Sequence, residues 1–369
     1  MSAQDGQQVL GGLSQKELIW RAFTRHRLAM ASFYLLAVMY TLALCCEFFA
    51  PYAPGWKNLE YSYCPPQPLR FDFEHGLHVR GMTRFIDPVT LKKNYVENPD
   101  DIIPFGFFVK GQPYALLGLL PAERHFVGIE RWDAEDAPPF FILGADRYGR
   151  DILSRIIYGT RISLSVGVVA IVVTFILGIV IGGISGYVGG RTDNLIQRSI
   201  EIINAFPQLP LWLALGASMP AEWSPLRTYF AITIVLSLLS WTGLARVVRG
   251  KLLSLREEDF AVAARLLGAG HGRVMFRHLL PGFTSHIIVV LTLTVPAMIL
   301  GETSLSFLGL GLRPPVVSWG VMLQDCMQME VVANYPWLLF PLFFIVITVL
   351  CFNFVGDGMR DAADPYASR

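Results

Sequence analysis

Apolar runs close to the length of a bilayer crossing alternate along this chain with short polar stretches. A crossing helix needs roughly 20 apolar residues in succession. Runs at residues 28–50, 162–188, 202–217, 229–245, 283–307 and 336–355 approach that length, so the pattern predicts six spans. The third is the shortest and carries Pro207 and Pro210. Proline removes a helix hydrogen bond and kinks the chain, which either shapes a gate or merely bends the span. Trp212, just beyond, faces either a path or lipid. No small-residue cleavage site follows the first run, so it reads as a retained anchor. In the second run Gly178, Gly182 and Gly186 recur every fourth residue. That spacing lets helices approach closely.

The polar connections set the orientation, because short cytoplasmic loops carry the excess of Lys and Arg. With the N-terminus inside, the inner segments hold Lys16, Arg21, Arg25, Arg27, Arg191, Arg198, Arg246, Arg249, Lys251, Arg256, Arg265, Arg273, Arg277, Arg360 and Arg369. The two short outer segments hold only Arg227 and Arg313. Both termini are then expected inside. The expected organisation is an N-terminal segment 1–27, a first span 28–50, an outer segment 51–161, a membrane core 162–356 with an inner segment 246–282, and a tail 357–369. The outer segment far exceeds an ordinary connection of about 4–6 residues. It reads either as a small partly folded cap or as an extended insertion packed on neighbouring subunits. Alternation in 105–114 around Lys110 and Gly111 suggests a β-hairpin there.

Composition agrees with a membrane protein. Of 369 residues, 53% are apolar and 16% charged, against about a quarter charged in soluble domains. The net charge of +1 gives no indication of a nucleic-acid partner, and no tract resembles a nucleic-acid motif. The five cysteines form no metal-binding spacing. Cys64 and Cys326 both fall outside, where disulfides persist, and whether they bridge stays open.

One inner stretch, "EEDFAVAARLLGAGHGRVMFRHLLP" (residues 257–281), is helix-prone and rich in small residues. Phe260, Ala263, Ala264 and Leu267 recur at helical spacing, which predicts one shared face. Gly268 and Gly270 end the helix. The stretch resembles the coupling signature of ABC importer permeases. Ala263 and Ala264 match its paired alanines, Gly268 its glycine, and Leu280–Pro281 its closing pair. Val262 stands where a glutamate is usual and His278 where an isoleucine is usual. "LGADRYGRDILSRIIYGTRISLSVG" (143–167), "ETSLSFLGLGLRPPVVSWGVML" (302–323) and "NFVGDGMRDAADP" (353–365) resemble the dipeptide, oligopeptide and nickel branch of that family.

The resemblance implies an all-α polytopic membrane protein of six transmembrane helices with a type I ABC importer-like core. A long extracytoplasmic insertion would separate helices 1 and 2. It also implies a bacterial inner-membrane permease subunit with a second homologous permease, two ABC ATPase subunits and an extracytoplasmic solute-binding protein as partners, beside membrane lipid. Short peptides are the implied cargo, with oligosaccharides, muropeptides, opines or nickel as alternatives. The chain has no G-x-x-x-x-G-K-[ST] phosphate loop, so ATP and Mg are expected on the ATPase subunits, with no cofactor here. Phe260, Ala263, Ala264, Leu267, Gly268 and Pro281 would then couple ATP hydrolysis to motion. Glu302, Pro207, Pro210, Trp212 and Trp319 are candidates for the path or gate. Glu302 equally fits a hydrogen bond to a neighbouring helix, since buried carboxylates need a partner or a cavity.

Other residues read as structural. Glu47 is expected at the membrane interface. Asp146, Arg150 and Asp151 are better explained by ion pairing and helix capping than by acid/base catalysis. His271 and His278 lack a third metal ligand nearby. Arg313, Pro314 and Pro315 form either a stiff turn or an outer contact. Two rival classes remain: an ion-coupled secondary transporter, which needs intramembrane charges, and a membrane enzyme, which needs a polar cluster in the outer segment.

Overall fold

The structure, a computed structural model, describes residues 15–89, 93–129, 139–220 and 222–363. The start of the N-terminal segment and the end of the tail, including Pro365 and Arg369, lie outside the described residues.

Helix α1 (Gln15–Arg25) leads into α2 (Arg27–Leu44), the first membrane helix. His26 caps α2, its ring nitrogen accepting the Ala29 amide at 3.1 Å. A single turn, α3 (Cys46–Phe49), follows. Glu47 is held there by a two-pronged pair with Arg161, at 2.6 and 2.7 Å. Arg161 also donates to the carbonyls of Ala43 and Leu44. One guanidinium thus neutralises the carboxylate and satisfies the open carbonyl end of α2, each charged hydrogen bond contributing about 1.5–3 kcal/mol.

The segment that follows overturns the all-α expectation. It folds as strands β1 (Arg70–Asp72), β2 (Gly76–Ile86), β3 (Lys93–Leu116) and β4 (Leu120–Ile129), antiparallel and in chain order. β3 pairs with β2 up to Pro104 and with β4 from Phe105 onward. A core of Val79, Ile103, Phe105, Ile129 and Phe140 lies beneath. The segment is a folded cap, and the extended alternative is set aside. The hairpin also turns elsewhere than expected. Between Lys110 and Tyr114 the register shifts, so these residues form a bulge inside β3. The chain reverses at Leu117 and Gly118, both at positive φ (52° and 72°). Leucine rarely adopts that backbone conformation, which is why the turn escaped prediction.

Helix α4 (Ile152–Val188) begins well before residue 162 and is 37 residues long. At 1.5 Å per residue it extends about 55 Å, past the roughly 30 Å hydrocarbon layer. Asp151 caps it, accepting the Ser154 amide at 2.7 Å. Asp146 pairs with Arg150 at 2.6 Å, so these carboxylates do the capping and pairing work expected of them. The third run is a broken element: α5 (Gly190–Ala205) and α6 (Gln208–Ala217) meet at 79°. Pro207 caps α6 and Pro210 lies in its first turn, where proline is tolerated because those amides need no helical partner.

Then come α7 (Pro225–Leu255), α8 (Asp259–Leu266), α9 (His271–Arg273), α10 (Thr284–Phe307), α11 (Trp319–Leu323), α12 (Met329–Asn334) and α13 (Phe340–Ala363). Helix α9 continues through a π turn (Val274–Leu279) and a 3-10 turn into α10. Among the described residues five helices are long and apolar enough to cross a membrane, or six if α5 and α6 together form one crossing.

Helix α4 is the axis of the bundle, with α2, α7 and α10 packed on it and α13 closing over α2 and α10. The glycine spacing explains its fit to α7. A Cβ at Gly182 would lie 2.5 Å from the Ala245 carbonyl oxygen, and one at Gly186 would lie 2.7 Å from that of Arg249. One at Gly178 would strike Leu244. Only bare backbone fits along this seam. Cys64 and Cys326 form no bridge; both are free thiols.

Candidate coupling site and the polar core of the bundle

Helix α8 sits at the end of α7, braced by arginines. The Arg256 guanidinium donates to the Gly186 and Tyr187 carbonyls at 3.3 and 3.4 Å, tying the end of α4 to this corner. Arg265 reaches back to the Arg256 carbonyl at 2.7 Å. Gly268 ends the helix at φ +83°. Its amide donates to the Arg265 carbonyl and that of Ala269 to the Ala264 carbonyl, the paired bonds of a Schellman stop. A Cβ at Gly268 would meet nothing within 4 Å. Within this chain the glycine is therefore explained by its backbone angle.

The expected shared face divides in two. Ala261 and Ala264 are buried against Val248, Leu252, Val274 and Leu279. Phe260 and Leu267 stand 48% and 88% exposed, with Ala263 also exposed between them and Leu266 beside them. At about 100° per residue, Ala264 falls on the flank shared with Ala261. Small residues thus seat α8 on its own bundle, and the larger apolar ones face outward. Pro281 is exposed at the start of the 3-10 turn into α10.

The candidate path residues fall into separate groups. Glu302 is fully buried on α10. It accepts from Ser318 at 2.7 Å, Ser306 at 2.8 Å and Ser163 at 3.4 Å. Trp319 is buried beside it, its amide donating to Ser163 Oγ and its indole to the Ile156 carbonyl. Ser318 in turn caps α11 by accepting the Val321 amide. Glu302 is thus the hub joining α4, α10 and α11. Trp212 belongs to another cluster, with Val166, Ile232, Leu236 and Met298, and its indole N–H finds no partner among the described residues. Pro207 and Pro210 are exposed at the α5–α6 bend.

Replacing Glu302 by leucine should strand three buried hydroxyls, each unmet group costing about 1–3 kcal/mol. Melting of the detergent-solubilised protein should fall by several degrees, whereas Glu302→Gln, which keeps an acceptor, should lose less. An unchanged melting temperature for the leucine variant would show that these hydroxyls do not depend on Glu302.

Sequence reasoning missed a second polar junction. Arg249 on α7 makes two contacts of 2.5 Å with Asp193 on α5, and Ser185 on α4 donates to the same carboxylate. It locks three helices near the base of α8. Asp193 and Arg249 both lie in the basic inner segments, and nothing in the sequence singles out this pair from Arg191, Arg198, Arg246 and Lys251 around it.

Residues 178–369 match the family of binding-protein-dependent transport system inner membrane components. The chain belongs to that family. Residues 14–66 match the N-terminal transmembrane domain of oligopeptide transport permease C. The stretch between the two matches holds the four-stranded cap and the first part of α4. The oligopeptide transport system permease protein of Haemophilus influenzae is 42% identical over 240 residues, 63% of this chain and 74% of the relative. The dipeptide transport system permease protein of Bacillus subtilis is 41% identical over 226 residues, 61% of this chain and 69% of the relative. The glutathione transport system permease protein of Pectobacterium atrosepticum is 39% identical over 223 residues, 60% of this chain and 72% of the relative. This permease is a multi-pass protein of the inner membrane, and both α8 and Glu302 lie within the matched region.

Proposed function

We propose that this permease is one membrane subunit of an ATP-driven importer that moves short peptides inward by alternating access. The observation that carries the reading is the exposed apolar face of Phe260, Ala263 and Leu267 on α8. It is rigidly braced to α4 and α7 and suited to dock in a cleft of a soluble ATPase. ATP-driven movement of two such ATPases would push α8 and rock α4 and α7, which are locked along their glycine seam, as one body. Glu302 and Trp319 are fully buried in the bundle interior, so the path would form against a second permease of similar fold. A binding protein would deliver cargo to the outer face, next to the cap, with both termini of the permease inside. The chain contributes no ATPase chemistry and needs no cofactor of its own. The names of its relatives, which specify oligopeptides, dipeptides and glutathione, favour peptides over saccharides, opines or nickel.

The test is uptake of a labelled dipeptide and a labelled tetrapeptide into vesicles holding the reconstituted complex. Uptake should require ATP and the binding protein. Uptake driven by an ion gradient without ATP would overturn the reading.

A further inference from the structure

Helix α1 does not continue the line of α2. One extended residue, His26 (φ −82°, ψ 92°), separates them. In a single straight helix, positions 20 and 33 would lie about 20 Å apart along the axis. Instead the Trp20 and Phe33 ring centres are 6.3 Å apart, and those of Phe23 and Phe33 are equally close. The chain therefore bends sharply at His26, and α1 lies across the first turns of α2. Phe23 pins this elbow. It is buried where α1 and α2 meet α13, and a Cβ on Gly358 of α13 would strike Ala29 and come within 3.3 Å of the Phe23 ring.

The bend sets the depth of α1. Helix α2 has 18 residues, about 27 Å at 1.5 Å each, little short of the roughly 30 Å hydrocarbon layer. Its first residue, Arg27, is therefore at one membrane surface. Phe33 stands six residues, about 9 Å, from that end. Phe33, Tyr34 and Val38 are all exposed on the outside of the bundle. Trp20 is half exposed and packs edge-on against Phe33. An amphipathic helix in the interface buries its apolar side to a depth of about 5–10 Å, and tryptophan is enriched at that level.

The sequence of α1 divides to match. At about 100° per residue, Ile19 and Phe23 centre an apolar arc that Leu18, Ala22 and Trp20 complete. Arg21, Thr24 and Arg25 occupy the opposite side. Arg21, Arg25 and Arg27 are exposed, and their guanidinium groups have no carboxylate partner among the described residues.

We propose that α1 lies in the headgroup layer at the N-terminal end of α2, with Trp20 at the acyl boundary and Arg21, Arg25 and Arg27 binding the phosphates of anionic phospholipid. Basic clusters beside a membrane helix attract anionic lipid. That charge complementarity, and continuity with the exposed apolar side of α2, favour lipid over a protein occupant.

A photoreactive phenylalanine analogue at Trp20 tests this in the full complex, reconstituted with a trace of radiolabelled phosphatidylglycerol or of radiolabelled phosphatidylcholine in the same bilayer. Label from phosphatidylglycerol should exceed that from phosphatidylcholine several-fold. It should exceed by as much the label captured by the same analogue at Phe73, which is fully exposed on the cap. Combining Arg21→Gln, Arg25→Gln and Arg27→Gln should remove the preference between the two lipids while lipid label at position 20 persists. Equal label from the two lipids, label no higher than at position 73, or transfer from position 20 to another protein subunit would overturn the proposal. So would a preference that inorganic phosphate removes, since the arginines would then hold a free anion. Leu18, also exposed, serves as a second probe site should the Trp20 variant express poorly.

Discussion

Gly182→Leu should abolish accumulation of the folded permease. The Cβ that leucine introduces would lie 2.5 Å from the Ala245 carbonyl oxygen and 2.8 Å from its Cα. Backbone cannot swing aside as a flexible side chain can, so α4 and α7 must separate. Overpacking a core ordinarily costs about 1–3 kcal/mol. Here the displaced helix also carries Arg249, which pairs with Asp193, and Val248 and Leu252, on which α8 rests. The loss should therefore exceed that range and spread to the coupling corner. Gly243→Ala on α7 is the matched control, since its new Cβ meets nothing within 4 Å. It should be neutral or mildly stabilising, as alanine outranks glycine in helices by about 1 kcal/mol. Yield and monodispersity of the solubilised protein distinguish the two. Normal folding of Gly182→Leu would mean that the α4–α7 seam is looser than described.

Leu267→Asp should leave folding intact and stop transport. The side chain is 88% exposed and caps α8 without packing on its own bundle. Loss of a dominant interface residue costs about 2 kcal/mol or more, which is roughly a 30-fold or greater loss in affinity. A buried aspartate in the docking cleft adds its own desolvation cost. ATP hydrolysis by the complex should lose its stimulation by loaded binding protein while the melting temperature of the isolated permease stays unchanged. Ala264→Leu should give the opposite pattern, a destabilised permease, because Ala264 is wedged against Val274 and Leu279.

The membrane helices were legible because lipid imposes one requirement, continuous apolarity, on each run separately. The glycine seam was legible for a similar reason: a four-residue repeat on one helix suffices to predict close approach. The 257–281 stretch was singled out by its spacing, yet the face of Ala264 was misjudged. Helical periodicity puts Phe260 and Ala264 only about 40° apart, so the boundary between inward and outward faces depends on where α7 lies. The cap was least legible. Its strands contain Pro99, Pro104 and Pro113, residues that ordinarily argue against strand interiors. Its pairing changes partner halfway along β3, and its tight turn lacks the usual Asn-Gly signal. The Glu302 hub was half legible. The carboxylate stood out, but the serines that satisfy it come from positions as far apart as Ser163 and Ser318.

The central claim is that α8 is the surface through which an ATPase moves this permease. Photocrosslinking from α8 in the assembled transporter tests it most directly. Probes at Phe260, Ala263 and Leu267 should each yield an ATPase-linked product, while probes at the buried Ala261 and Ala264 yield little or none. Absence of an ATPase-linked product at all three exposed positions, in a complex that still hydrolyses ATP, would contradict the account.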